Sequence, residues 1–235
     1  MLSVYSTYAR GVAILLRRGL CWRSEDWCGD TEGRYAVVHA VLSGKCVTIA
    51  CVYGPNADDP EFVLRVWHRI MLNGPSTIIW GGDFNLILDP TVDCSSAARQ
   101  PHPAALAQLQ VVMVDNSLYD VWRLCHPDTL EGTCIIKAWR AWSCINLWLL
   151  AGVAVAWVTR VEHLPHTLSD HAPVLLTLCV RTEMERVFAW RLPSCALCDS
   201  VLLLEVRGAI IAHFDDNEGS VSSPGVLWES FKVYM

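Results

Sequence analysis

The chain has 235 residues, 53% of them hydrophobic, and a formal net charge of −6. That size and apolar content are enough for one large buried core and exclude a disordered chain, while the acidic balance supplies no basic field, so contact with nucleic acid would need a local patch or a metal ion. Eleven cysteines are an odd number, and the polar, aromatic residues 1–10 form no signal peptide, which argues for a reducing intracellular compartment, nuclear or cytoplasmic, over a disulfide framework.

Taken in chain order, short apolar runs bounded by turn residues predict strands over 11–16, 35–42 and 46–53. A helix is predicted over 60–72. Asp59 is placed to cap it, Pro60 suits the first helical position, and Phe62, Val63, Val66, Trp67 and Ile70 recur at helical spacing. A strand over 76–80 and a second helix over 103–114 follow, then strands over 145–150, 155–161 and 172–180. Residues 200–214 read as an amphipathic helix capped by Asp199, 215–223 as a polar linker, and 224–235 as the start of a helix behind Ser223. Strands with few intervening helices argue for a sheet sandwich flanked by helices, not an alternating doubly wound fold.

Two features compete with a plain globular reading. Residues 141–158 carry no charge between Arg140 and Arg160, close to the lower length of a membrane-spanning helix. Ser143, Asn146 and Gly152 interrupt that run, and Val153, Val155 and Val158 suit strands better than a helix interior. The CxxC pair, Cys195 and Cys198, has no second pair nearby, so no tetrahedral zinc site is expected there.

Three clusters sit where predicted strands meet loops. Gly81, Gly82, Asp83, Phe84 and Asn85 follow an apolar strand; the glycines permit a tight turn, and Asp83 with Asn85 either orients a water and holds phosphoryl oxygens or forms a capped turn. Ser169, Asp170 and His171 precede another strand, with Asp170 suited to a metal and His171 to a phosphate, or all three to a structural turn. Val52, Tyr53, Gly54, Pro55 and Asn56 close the strand at 46–53 and taken alone are a turn.

Together, in this order, the clusters resemble the endonuclease/exonuclease/phosphatase family, and most closely the apurinic-type endonuclease of non-LTR retrotransposon polyproteins. The stretch YARGVAI at 8–14, Gly33 to Tyr35, 118–123 with His126 and Pro127, Thr133, and Glu162 support the resemblance, which covers nearly the whole chain. It implies a four-layer α/β sandwich with a helical C-terminal tail. Residues 1–182 correspond to the nuclease domain and 183–235 to a connector ahead of a reverse transcriptase, where Trp190, Arg191, 214–218 and 227–234 fit.

The resemblance further implies a DNA phosphodiesterase using Mg²⁺. Asp83 and Asn85 would position the attacking water, Asp170 would approach the metal, His171 would stabilise phosphoryl charge, and Tyr53, Asn56, Thr133 and Ser169 would line the phosphate region. Two departures qualify this. Met1 aligns inside the domain, so the first strands, with the family's metal-binding Glu, are expected to be missing. Asn146 stands where the family has the Asp that pairs with the SDH histidine; it carries no charge to stabilise an imidazolium and is expected to disturb the ring tautomer. Three readings follow: a truncated nuclease-like domain with little or no activity and weak Mg²⁺ binding, an active nuclease completed by another chain, or a membrane-associated protein using 141–158.

Overall fold

The computed structural model describes residues 1–6, 9–72, 74–95, 102–136, 141–166, 169–180 and 200–217. Two compact units divide the chain, Met1–Thr182 and Glu183–Met235. In the first, the β-branched run of β4 (Tyr35–Leu42) pairs antiparallel with β5 (Lys45–Tyr53), and β5 pairs parallel with β6 (Thr77–Asp83). β3 (Trp22–Gly29), β10 (Asn146–Ala151) and β7 (Leu118–Asp120) complete one six-stranded mixed sheet in the order β3-β4-β5-β6-β10-β7.

Side-chain alternation along β4 explains both layers around this sheet. Tyr35 and Val37 join a core with Phe62, Val63, Val66 and Ile70 of helix α1 (Pro60–Met71) and with Leu109 and Val112 of α2 (Pro103–Asp115). Asp59 caps α1 as expected, its carboxylate accepting from the Phe62 N–H at 3.0 Å. Ala36 and Val38 point the other way, onto Val12 and Ile14 beside the hairpin β1 (Leu2–Val4) and β2 (Gly11–Ala13). A second hairpin, β11 (Val158–His163) with β12 (Val174–Leu178), reaches the core through Val161, Leu176 and Leu178. Helices on one face of a mixed sheet and strands on the other give the α/β sandwich that the sequence predicts.

Several boundaries are corrected. β2 ends at Ala13, well short of residue 16. β3 escapes prediction because Arg23, Glu25 and Asp26 make it polar, a composition that suits an exposed edge strand. The uncharged run 141–158 is no membrane helix: it divides into β9 (Ala141–Ser143), β10, the short helix α4 (Gly152–Val155) and the start of β11. Its backbone groups bond to neighbouring strands, and Leu147, Leu149 and Leu150 are buried in the sheet core. Among the described residues no helix is long and apolar enough to cross a membrane. Val153 and Val155, assigned to strands by propensity, lie in α4.

In the second unit α5 (Ser200–Asn217) runs three residues past 214 and takes Asp215, Asp216 and Asn217 from the expected linker. It is not amphipathic: the consecutive apolar residues Ala209, Ile210, Ile211 and Ala212 follow one another around its circumference. Tyr8, Arg140, Trp190, Arg191, Cys195, Cys198, the Asp199 cap and the helix over 224–235 fall outside the described residues.

Candidate functional site

Sheet register decides which of the three clusters meet. Tyr53 at the end of β5 lies opposite Asp83 at the end of β6, and Asn146 at the start of β10 lies opposite Asp83 on its other side. Two glycines permit this closeness. Gly82 holds a φ of 135°, and a Cβ on it would overlap the Val52 carbonyl. A Cβ on Gly54 would overlap the Phe84 carbonyl.

The turns after β5 and β6 are then bonded together. The Gly54 N–H donates to the Asp83 carbonyl at 2.7 Å. Asn85, at a left-handed φ of 52°, donates its backbone N–H to Asp83 Oδ1 at 2.9 Å, while its Nδ2 donates to the Gly54 carbonyl at 2.8 Å and to Asn56 Oδ1 at 3.0 Å. The Asn85 side chain therefore serves the loop at 54–56. Arg34, part of the 33–35 stretch but given no role by the sequence, adds a cation: it donates to the Gly54 carbonyl at 2.9 Å, and its guanidinium lies 4.9 Å from the Tyr53 ring centroid.

On the other side of Asp83, residues 169–172 run beside β8 (Cys134–Ile136), through a bridge pairing Cys134 with His171. The Ile135 N–H donates to the Asp170 carbonyl at 2.9 Å, and the Ala172 N–H to the Thr133 carbonyl at 2.6 Å. Asn146 spans the junction: its Nδ2 donates to the Ala172 carbonyl at 3.1 Å, and its Oδ1 lies 3.1 Å from His171 Nδ1. Because the Ala172 carbonyl can only accept, it fixes the amide, and Oδ1 must face His171 as acceptor. Nδ1 then carries the ring proton and Nε2 the lone pair. The expected tautomer disturbance does not occur. What asparagine lacks is the negative charge.

Thr133 is fully buried, and its hydroxyl oxygen accepts from the Ile145 and Asn146 N–H groups at 3.0 and 2.9 Å, so it orients Asn146 from beneath. Ser169 Oγ donates to Asp170 Oδ1 at 3.1 Å and accepts from the His171 N–H at 3.1 Å, which makes the turn before His171. Asp83, Asn146 and His171 open together onto a cleft of about 250 Å³, walled by Trp148 and Pro173. Tyr53, Asn56 and Asn85 belong to the adjoining loop pair.

No family model matches the chain. Solved structures do resemble it. The AP endonuclease from Leishmania major aligns with a TM-score of 0.55 and 15% identity over 70% of this chain and 63% of its own. An AP endonuclease from Archaeoglobus fulgidus aligns at 0.55 and 16% identity, over 67% and 72%. A 3′ phosphatase from Neisseria bound to a product DNA hairpin aligns at 0.54 and 18% identity, over 67% and 72%. The fold is that of the endonuclease/exonuclease/phosphatase proteins. The chain spans less than two thirds of the Leishmania protein's length.

Electrostatics on this endonuclease/exonuclease/phosphatase scaffold favour a reluctant acid at Asp83. Burial pushes its carboxyl above the usual range, opposed by the Asn85 N–H, His171 and Arg34. Cys134, which the sequence did not mark, brings its thiol to Asp170 and His171, with one ligand atom of each residue within 4.8 Å of the others. Burial, then Asp170 and Asp83, pushes that thiol up. Mg²⁺, the ion implied by the resemblance, takes hard oxygen ligands at octahedral spacing. A set of one carboxylate, one imidazole and one thiol does not fit it.

Proposed function

We propose that the first unit is a DNA-directed phosphodiester-binding domain of the retrotransposon endonuclease kind, with hydrolysis weak or absent in this chain. The observation that carries the reading is the convergence of Asp83, Asn146 and His171 on one cleft at a sheet end, in a fold shared with AP endonucleases and with a phosphatase bound to a DNA hairpin. Retrotransposon kinship rests on the sequence resemblance at 8–14, 53–56, 81–85 and 169–171.

In this reading His171 Nε2 faces phosphoryl oxygens, Asp83 orients a water, and Arg34, Tyr53 and Asn56 form the rim along which the phosphate backbone lies. Asn85 braces that rim and Thr133 braces Asn146. Attenuation follows from two features. The neutral Asn146 gives an imidazolium no counter-charge; in a serine-protease triad the equivalent change costs roughly 10⁴-fold in rate. The donors around Asp170 also suit Mg²⁺ poorly.

The test has two arms with the intact chain. Fluorescence anisotropy with an abasic duplex is expected to show binding that falls at least about 10-fold in Arg34→Ala, and absence of DNA binding overturns the reading as a whole. Supercoiled plasmid with Mg²⁺ is expected to show no nicking above the His171→Ala background. Nicking that disappears in His171→Ala overturns the attenuated form and leaves an active nuclease.

A further inference from the structure

The donor set that rejects Mg²⁺ has a chemistry of its own. Cys134 and His171 face each other across an antiparallel bridge, a register that places their side chains on one face, and Asp170 adds a carboxylate to the same cluster. Sulfur, imidazole nitrogen and a single carboxylate are the ligands that borderline-soft divalent cations select. We propose that Cys134, Asp170 and His171 form a three-ligand site for a thiophilic divalent cation of the Zn²⁺ class, with a fourth position open to the cleft.

Two independent features support it. Cys134 and the 169–172 segment are held by backbone bonds on both sides of the bridge, Ile135 N–H to the Asp170 carbonyl and Ala172 N–H to the Thr133 carbonyl, so two of the three donors are pre-positioned by strand geometry. Asn146 holds His171 Nδ1–H, leaving Nε2 to ligate, and metal-bound histidines ordinarily have their second nitrogen held in this way. Cys134 binds as thiolate, its proton released to solvent. A bound ion occupies the Nε2 lone pair, whereas a phosphoryl oxygen can only accept from Nε2 once that nitrogen carries a proton, so cation and phosphate compete for His171. The cation site rests on the geometry of these three residues and stands or falls apart from the nuclease reading.

Co²⁺ titration of the intact chain, followed by absorbance, reads this site directly, since a thiolate ligand gives a charge-transfer band. The expected result is a band of one equivalent, displaced by Zn²⁺ and not by excess Mg²⁺, retained in a Cys195→Ser/Cys198→Ser double variant and lost in Cys134→Ala. Should Cys134→Ala fail to fold by circular dichroism, Asp170→Asn and His171→Ala carry the test, each expected to weaken Co²⁺ binding by at least about 10-fold. A band that survives in Cys134→Ala, or affinity unchanged in both of the other variants, overturns the proposal, as does loss of the band in the Cys195/Cys198 double variant.

Discussion

Asp120 shows how one buried carboxylate sets a local energy. Its Oδ1 caps α3 (Val121–Cys125) by accepting from the Trp122 N–H at 3.0 Å, while Oδ2 is buried with no hydrogen-bond partner. Burial above all lifts its pKa to about 6, with Asp93 adding to the rise and the Arg123 and Trp122 N–H groups and the Arg123 charge opposing it. The folded state therefore prefers the protonated acid: stability from this group is complete below the unfolded value near 4 and is lost as pH rises through about 6. Asp120→Asn keeps the capping oxygen and removes the charge. It is expected to stabilise the fold by about 2–3 kcal/mol at pH 7.5 and by little at pH 4, as read from urea midpoints. Equal midpoints at both pH values would contradict the burial argument. Of the site residues, Asp83, Asp170, His171 and Asn146 were legible from their motifs, but the use of Asn85 and Thr133 as braces was not, because a side chain's partners depend on which strands become neighbours. Cys134 lacked any local signal, and Arg34 was marked only as part of the 33–35 stretch, with no role attached to it.

At the scale of elements, α1, β4 and β5 were readable because their caps and apolar periods agree with their tertiary roles. β3 and β7 were not, one being a polar edge strand and the other only three residues long. The junction of β5 and β6 depends on Gly82, whose φ of 135° and contact with the Val52 carbonyl leave no room for a side chain. Gly82→Ala is expected to cost roughly 3 kcal/mol or more, combining backbone strain with displacement of the sheet partner. It should also disturb the site, since Asp83 is the next residue. Denaturation curves test the first part. A midpoint within error of the parent chain would mean that the turn relaxes freely and that the close strand approach is not required.

For the molecule as a whole, opposing titrations shape its response to acid. His163 of β11 stacks on Trp122 of α3 at a centroid distance of 3.6 Å, with its side chain 1% exposed and both ring nitrogens without hydrogen-bond partners. Burial, then Arg123, His126 and His166, lowers its pKa to about 4, so Glu131 at 3.9 Å is no ion-pair partner at neutral pH. Stability from the neutral ring is complete above the unfolded value near 6.5 and is lost as pH falls toward 4. Asp120 acts in the reverse sense over nearly the same window. His163→Phe, which keeps the ring stack, is therefore expected to become more stable relative to the parent chain between pH 7 and 4.5, and Asp120→Asn less so. Thermal midpoints across that range check the pair, and parallel profiles for all three chains would refute it. The sequence by itself determined the sandwich class, the main helix and strands, and the three clusters, because these depend on periodicity, capping and turn chemistry within short windows. Only the tertiary structure decided that residues 141–158 divide among sheet strands and the short helix α4, since an uncharged run satisfies a lipid layer and a protein core equally well until its hydrogen-bond partners are known. It also decided that Asn146 preserves the His171 tautomer and that Cys134 faces His171, because both depend on pairings between residues distant along the chain.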